Sequence, residues 1–101
     1  MSVIINNENN TLTAKLQGEI DHHNVQEIRQ SIDLAADKSH PEILILDFGE
    51  VTFMDSSGIG LVMGRYKLVK DYGGRISVTN TSSHIKKVMK LAGLERLVSI
   101  E

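Results

Sequence analysis

The stretch Phe53-Met54-Asp55-Ser56-Ser57-Gly58-Ile59-Gly60-Leu61-Val62-Met63-Gly64-Arg65-Tyr66-Lys67 decides how this chain is read. An apolar run, Ile43-Leu44-Ile45-Leu46, lies a short loop upstream, and apolar residues take up helical spacing directly after the two serines. The serines therefore stand at the entrance of a helix, predicted from Ser57 to about Tyr72. Backbone N–H groups at such an entrance lack intrahelical partners, and the helix dipole favours negative charge there. The position suits a capping hydroxyl or a phosphoryl group. Gly58 and Gly60 admit close approach by another backbone, and Asp55 either orients a hydroxyl or serves the turn. On residues alone both roles stay open, and capping is favoured.

Outward from this stretch the chain alternates strands and helices. Val3-Ile4-Ile5 and Thr11 to Gln17 flank a polar turn and read as a β-hairpin. Gly18 is predicted to close the second strand, with Glu19 to His23 as a loop. A helix starts near Asn24, with Glu27 completing a capping-box pattern. Its apolar positions Val25, Ile28, Ile32, Ala35 and Ala36 share one face. Pro41 ends it by disfavouring helix at the preceding residue. Ile43 to Leu46, apolar on both sides of the pleat, reads as a central strand covered on both faces. Gly73-Gly74 stops the serine-led helix, and Arg75 to Thr79 alternates as a strand. Ser82 or Ser83 caps a helix with the face Ile85, Val88, Met89 and Ala92, stopped by Gly93. Leu97 to Ile100 is predicted as a last short strand. This order requires crossover helices, hence an α/β fold with a mixed sheet of four to five strands and helices packed on it.

Within the serine-led helix, 100° per residue places Ile59, Val62, Met63, Tyr66 and Val69 on one stripe, predicted to dock on the sheet. Leu61, Leu68 and Tyr72 form a second stripe, which needs an adjacent helix or a partner protein. The adjacent helix is favoured.

Composition narrows the function. The 101 residues support one domain, 1–101, with an aliphatic core, since the chain has two Phe, two Tyr and no Trp. The lack of cysteine removes thiolate chemistry and disulfides. A net charge of −2 leaves no electrostatic footprint for nucleic acid or an anionic membrane. No run approaches the ~18 apolar residues of a membrane span, and Met1 to Asn6 shows no signal peptide. A cytoplasmic protein is expected.

Chemistry-bearing residues gather around the serines only loosely. Asp21, Asp47, Glu50 and Asp55 all fall at or after predicted strand ends, which suggests a negative surround. His22-His23 lacks metal-ligand spacing, so no metal is expected there. It is predicted to form a polar loop at the same sheet end as Asp55. A hydrolase serine would need a base and an oxyanion hole, and Asp55-Ser56-Ser57-Gly58 lacks the glycine of a nucleophile elbow. No phosphate-binding loop is present either.

Gly18-Glu19-Ile20-Asp21-His22-His23, Phe53-Met54-Asp55-Ser56-Ser57-Gly58-Ile59-Gly60 and Gly64-Arg65-Tyr66-Lys67 together resemble the anti-sigma-factor antagonists of the STAS domain family, above all those of sporulation in endospore-forming bacteria. The likeness covers nearly the whole chain, including Gly73-Gly74 and Leu91-Ala92-Gly93-Leu94. It implies the STAS fold and a non-enzymatic protein without cofactor. It implies an unphosphorylated form that binds an anti-sigma factor, itself a serine kinase, and so frees the sigma factor. Phosphorylation of the first motif serine, Ser56, switches binding off, and a serine phosphatase restores it. Ser57 is then the residue expected to hold the helix. The resemblance gives Asp21 and Asp55 a part in kinase docking or in the stability of the complex. The partner surface is expected to comprise Asp21, His22, His23, Asp55, Ser57, Gly58, Ile59 and Gly60, with Leu61, Leu68 and Tyr72 as candidate additions. No nucleic acid or membrane is expected as a partner, and the chain alone is expected to be a monomer. The family also implies a further C-terminal helix. The rival reading is a STAS module that senses a small ligand or nucleotide.

Overall fold

In a computed structural model that describes residues 3–101, the elements are β1 (Val3–Glu8), β2 (Thr11–Ile20), α1 (Val25–Ser39), β3 (Ile43–Met54), α2 (Ser56–Asp71), β4 (Arg75–Thr79), α3 (Ser83–Leu91), a 3₁₀ turn (Leu94–Arg96) and β5 (Ser99–Ile100). Met1 and Ser2, part of the N-terminal stretch read for a signal peptide, lie outside the described residues. The sheet order is β1-β2-β3-β4-β5, with β1 antiparallel to β2 and the other neighbours parallel. The mixed sheet expected from the sequence is therefore present, with five strands. Asn9 and Asn10 turn the hairpin at φ 53° and 62°, the left-handed geometry that a two-residue turn requires and asparagine tolerates.

With strand order following chain order, right-handed crossovers place α1, α2 and α3 on one side of the sheet. Burial agrees. Leu12, Leu44 and Ile76 are in register on one face, as are Ala14, Leu46 and Val78, and all six are buried. Their neighbours on the other face, Thr13, Ile45 and Ser77, are only partly buried. Ile43 and Ile45 are thus not enclosed as the two-sided apolar run suggested. Ile28, Ile32 and Ala36 of α1 and Val62 and Val69 of α2 complete the core. Each fully buried aliphatic side chain contributes about 1.5–3 kcal/mol.

β2 and β3 are longer than predicted. Gly18 does not close β2; it lies inside it at φ 78°, beside a register shift, and the strand continues to the fully buried Ile20. β3 runs to Met54 because its pairing with β2 survives two irregularities, between Lys15/Gln17 and Gly18/Glu19. At each, β3 carries one extra residue, so period-2 alternation fails beyond Asp47 although the ladder persists. β5 is shorter than predicted, since Leu94–Arg96 forms a 3₁₀ turn first.

α1 ends as expected, with His40 in the left-handed conformation and its amide bonded to the Ala36 carbonyl. Its predicted capping box is absent. Asn24 is already helical (φ −114°, ψ −9°), and its side chain turns back into the preceding loop. Ser82, of the two candidates, caps α3 by accepting the Ile85 amide at 3.2 Å.

The two stripes of α2 are sorted by the neighbouring helix. Leu61 is buried, and Leu68 and Tyr72 pack against the core, so the second stripe has an internal neighbour. Met63, assigned to the sheet-facing stripe, is exposed instead. Arg65, a polar residue on α2, is 6 % exposed and reaches across to Asp33 on α1, with Nε to Oδ1 at 2.8 Å. Its Nη1 donates to the Leu61 carbonyl at 3.3 Å.

Candidate functional site

The carboxyl ends of β2 and β3 lie side by side, with Ile20 in register with Met54. The chain leaves each strand there, one to the loop of residues 21–24 and one to the mouth of α2. The two exits are tied by the Asp55 amide, which donates to the Ile20 carbonyl at 3.1 Å.

At the mouth of α2 the cap is Asp55, not Ser57. Asp55 is extended (φ −97°, ψ −169°), and its Oδ1 accepts the Ser57 amide at 2.8 Å. The Gly58 amide donates to the Asp55 carbonyl at 3.0 Å. Ser56 already belongs to the helix, so the cap lies two residues earlier than expected. The Ser57 amide, followed by its hydroxyl and by His22, holds the Asp55 carboxyl below the usual aspartate value, against the smaller opposing effect of desolvation.

Ser56 is exposed, and its hydroxyl makes no hydrogen bond among the described residues. Ser57 is half-buried. Gly58 is buried, and a β-carbon there would run into Cγ and Sδ of Met54. It shapes the first turn rather than presenting a surface. Ile59 is half-buried against the core, while Gly60 is exposed and faces open space.

The Asp21 loop is built from its own polar side chains. Asp21 Oδ1 accepts the amides of His23 at 2.9 Å and Asn24 at 3.2 Å. Asn24 Oδ1 accepts the Asp21 amide at 3.0 Å, and its Nδ2 donates to the Glu19 carbonyl at 2.7 Å. His22 and His23 are exposed with their rings 4.0 Å apart, and His22 Nδ1 stands 3.7 Å from Asp55 Oδ2. The expected meeting of this loop with Asp55 is therefore present.

The wider negative surround is not. Asp47 and Glu50 lie within β3, up to about 26 and 17 Å before Asp55 at 3.3 Å per residue. Asp47 bonds the Gly49 amide at 2.8 Å and Asn80 at 3.1 Å, and Glu50 pairs with Lys15 at 2.6 Å. Only Asp21 and Asp55 of that set border the serines. His40 is elsewhere too, stacked on Tyr72 at 4.8 Å. No histidine hydrogen-bonds either serine, and no cluster of three metal-ligating side chains occurs, among the described residues.

Sequence reasoning missed one feature beside the serines. Val25, Gln26 and Arg29 of α1 face Ser57, Gly60 and Gly64 of α2 across a groove of about 310 Å³. The i, i+4 spacing of Gly60 and Gly64 was its signal. A larger groove of about 700 Å³ runs along β3 and β4, and none of its lining residues belongs to the serine site. Size alone therefore does not locate the function.

The STAS domain profile matches residues 2–101 of this chain. An anti-sigma F factor antagonist of Paenibacillus polymyxa is 34 % identical over 89 residues, 88 % of this chain and 76 % of that protein. The anti-sigma factor antagonist SpoIIAA in its unphosphorylated form superposes with a TM-score of 0.84 at 33 % identity, covering 98 % of this chain and 87 % of that one. The Bacillus cell fate determinant SpoIIAA in its phosphorylated form superposes with a TM-score of 0.77 at 33 % identity, covering 98 % and 90 %. The chain belongs to the STAS domain family.

Proposed function

We propose that this protein is an anti-sigma-factor antagonist, in which the unphosphorylated form binds an anti-sigma factor with serine kinase activity and phosphorylation of Ser56 switches that binding off. The observation that carries the proposal is the division of labour at α2. Asp55 caps the helix, which leaves the exposed Ser56 hydroxyl without a structural duty. Similarity to SpoIIAA in both phosphorylation states favours this reading over a small-ligand sensor.

The physical consequence is local. A phosphoryl group adds about −1.5 to −2 charges. At a helix N-terminus that is worth about 0.3–1 kcal/mol in its favour, but the adjacent Asp55 carboxylate opposes it. The fold is therefore retained. In an interface formed by Asp21, His22, His23, Asp55, Ser57, Ile59 and Gly60, with Gly58 shaping the turn beneath, the same dianion must lose water next to the Asp55 carboxylate. A penalty of about 3–4 kcal/mol weakens binding by two to three orders of magnitude.

In this reading the protein is not an enzyme, needs no cofactor and works as a monomer in the cytoplasm alongside its kinase and a serine phosphatase. No described helix is long and apolar enough to cross a membrane. A hydrolytic serine would need a base, and His22, the histidine placed against this helix mouth, faces Asp55 instead. Incubation with ATP and the cognate kinase, followed by mass spectrometry, tests the proposal. One phosphoryl group on Ser56, lost in Ser56→Ala, is expected; modification at Ser57 alone, or none, contradicts it.

A further inference from the structure

His22 takes no part in capping α2, yet its ring stands against the cap. Its side chain is 73 % exposed, and Nδ1 lies 3.7 Å from Asp55 Oδ2. The backbone holds it there from both sides. Asp21 and Asn24 fix the loop, and the Asp55 amide bonds the Ile20 carbonyl at 3.1 Å.

A phosphoryl group on Ser56 meets an unusual helix entrance. The amides of Ser57 and Gly58, which would ordinarily receive an anion, are already bonded to Asp55. Ser56 directly follows Asp55, whose carboxylate caps the same helix mouth. No lysine or arginine makes an ion pair with Asp55 among the described residues. Asp55 faces His22 from the junction of β3 and α2, His23 stacks beside it, Asp21 holds the same loop, and Glu19 at the end of β2 is joined to that loop through Asn24. Arg29 of α1 lines the groove that includes Ser57. Of these, the two histidines and Arg29 alone can carry positive charge, and His22 already faces Asp55.

We propose that His22 is the proton-carrying counter-ion of the switch: its imidazolium pairs with Asp55 before phosphorylation and with the phosphoryl group on Ser56 afterwards. This rests on Ser56 being the modified residue. The sign follows from mutual stabilisation of opposite charges. The phosphoryl dianion raises the affinity of His22 for its proton, and the imidazolium lowers the second ionisation of the phosphoryl group by the same amount.

The test is an NMR titration of the full chain with phosphoserine incorporated at position 56 during translation, which needs no kinase. Relative to the unphosphorylated chain, the His22 imidazole midpoint is expected to rise by about one pH unit. The ³¹P midpoint is expected to return toward that of a free phosphoserine peptide in His22→Gln and to stay put in His23→Gln and Arg29→Gln. An unmoved His22 midpoint, or a ³¹P midpoint that responds to Arg29→Gln and not to His22→Gln, overturns the assignment. Because the phosphoserine is installed directly, failure of the kinase to modify Ser56 would count against the proposed function and leave this measurement intact. His22 is largely exposed, so its glutamine variant is expected to fold, which amide spectra verify.

Discussion

Asp55 accepts the Ser57 amide at 2.8 Å, and this contact makes a prediction that separates it from its serine neighbours. Asp55→Ala should lower the melting temperature by about 4–8 °C, while Ser57→Ala should move it by no more than about 2 °C. Thermal melts of the two variants check the order, and a larger loss in Ser57→Ala would return the cap to the serine. The acid limb of stability gives a second check. The folded Asp55 carboxyl lies below its ordinary value, so its contribution is complete above the unfolded value of about 3.9 and is lost as pH falls through the folded one. Asp55→Asn, which still caps, should keep stability at pH 7 and show a shallower loss on acidification in chemical denaturation. The sequence places a cap at the mouth of α2 and offers the two serines for it, with Asp55 given only an orienting or turn role although aspartate caps equally well. Which one does so depends on the backbone, and only the extended conformation of Asp55 decides it.

Asp33 and Arg65 link α1 to α2 beneath the groove beside Ser57. The Nε–H does not point along its 2.8 Å line to Oδ1, so the contact is an ion pair more than a hydrogen bond, supported by Nη2 to Oδ2 at 3.3 Å. Burial holds the Asp33 carboxyl above its ordinary value, by more than the guanidinium lowers it, and burial also lowers the Arg65 value. The pair therefore fixes how the helices sit more than it stabilises them. Asp33→Ala should cost about 2–3 kcal/mol by leaving a buried guanidinium without its carboxylate. Arg65→Met should cost less, since the Asp33 side chain is 31 % exposed and reaches water. Urea denaturation checks both, and equal losses would mean that packing dominates. At this scale α1, α2, α3 and β4 follow from the spacing of their apolar residues. The far ends of β2 and β3 do not, because two extra residues on β3 break the alternation that marks a strand. Arg65 is likewise hidden from pattern reading, since only the packing of two helices shows that a charged residue is inside.

The proposed switch and the core occupy different parts of the molecule. The core lies between one face of the sheet and the helices, while Ser56, Asp55 and the Asp21 loop sit at the carboxyl ends of β2 and β3. Charge added at Ser56 therefore meets the solvent and a partner, not the core. Ser56→Asp should leave the melting temperature within about 3 °C of the parent while removing most partner affinity. The central claim is tested most directly by isothermal titration of the cognate anti-sigma factor with the unphosphorylated chain and with the chain carrying phosphoserine at position 56, alongside melting of both forms. The account predicts binding weaker by about two to three orders of magnitude for the phosphorylated form with nearly unchanged melting. Equal affinities, or a phosphorylated chain that has lost its cooperative melting, would contradict it.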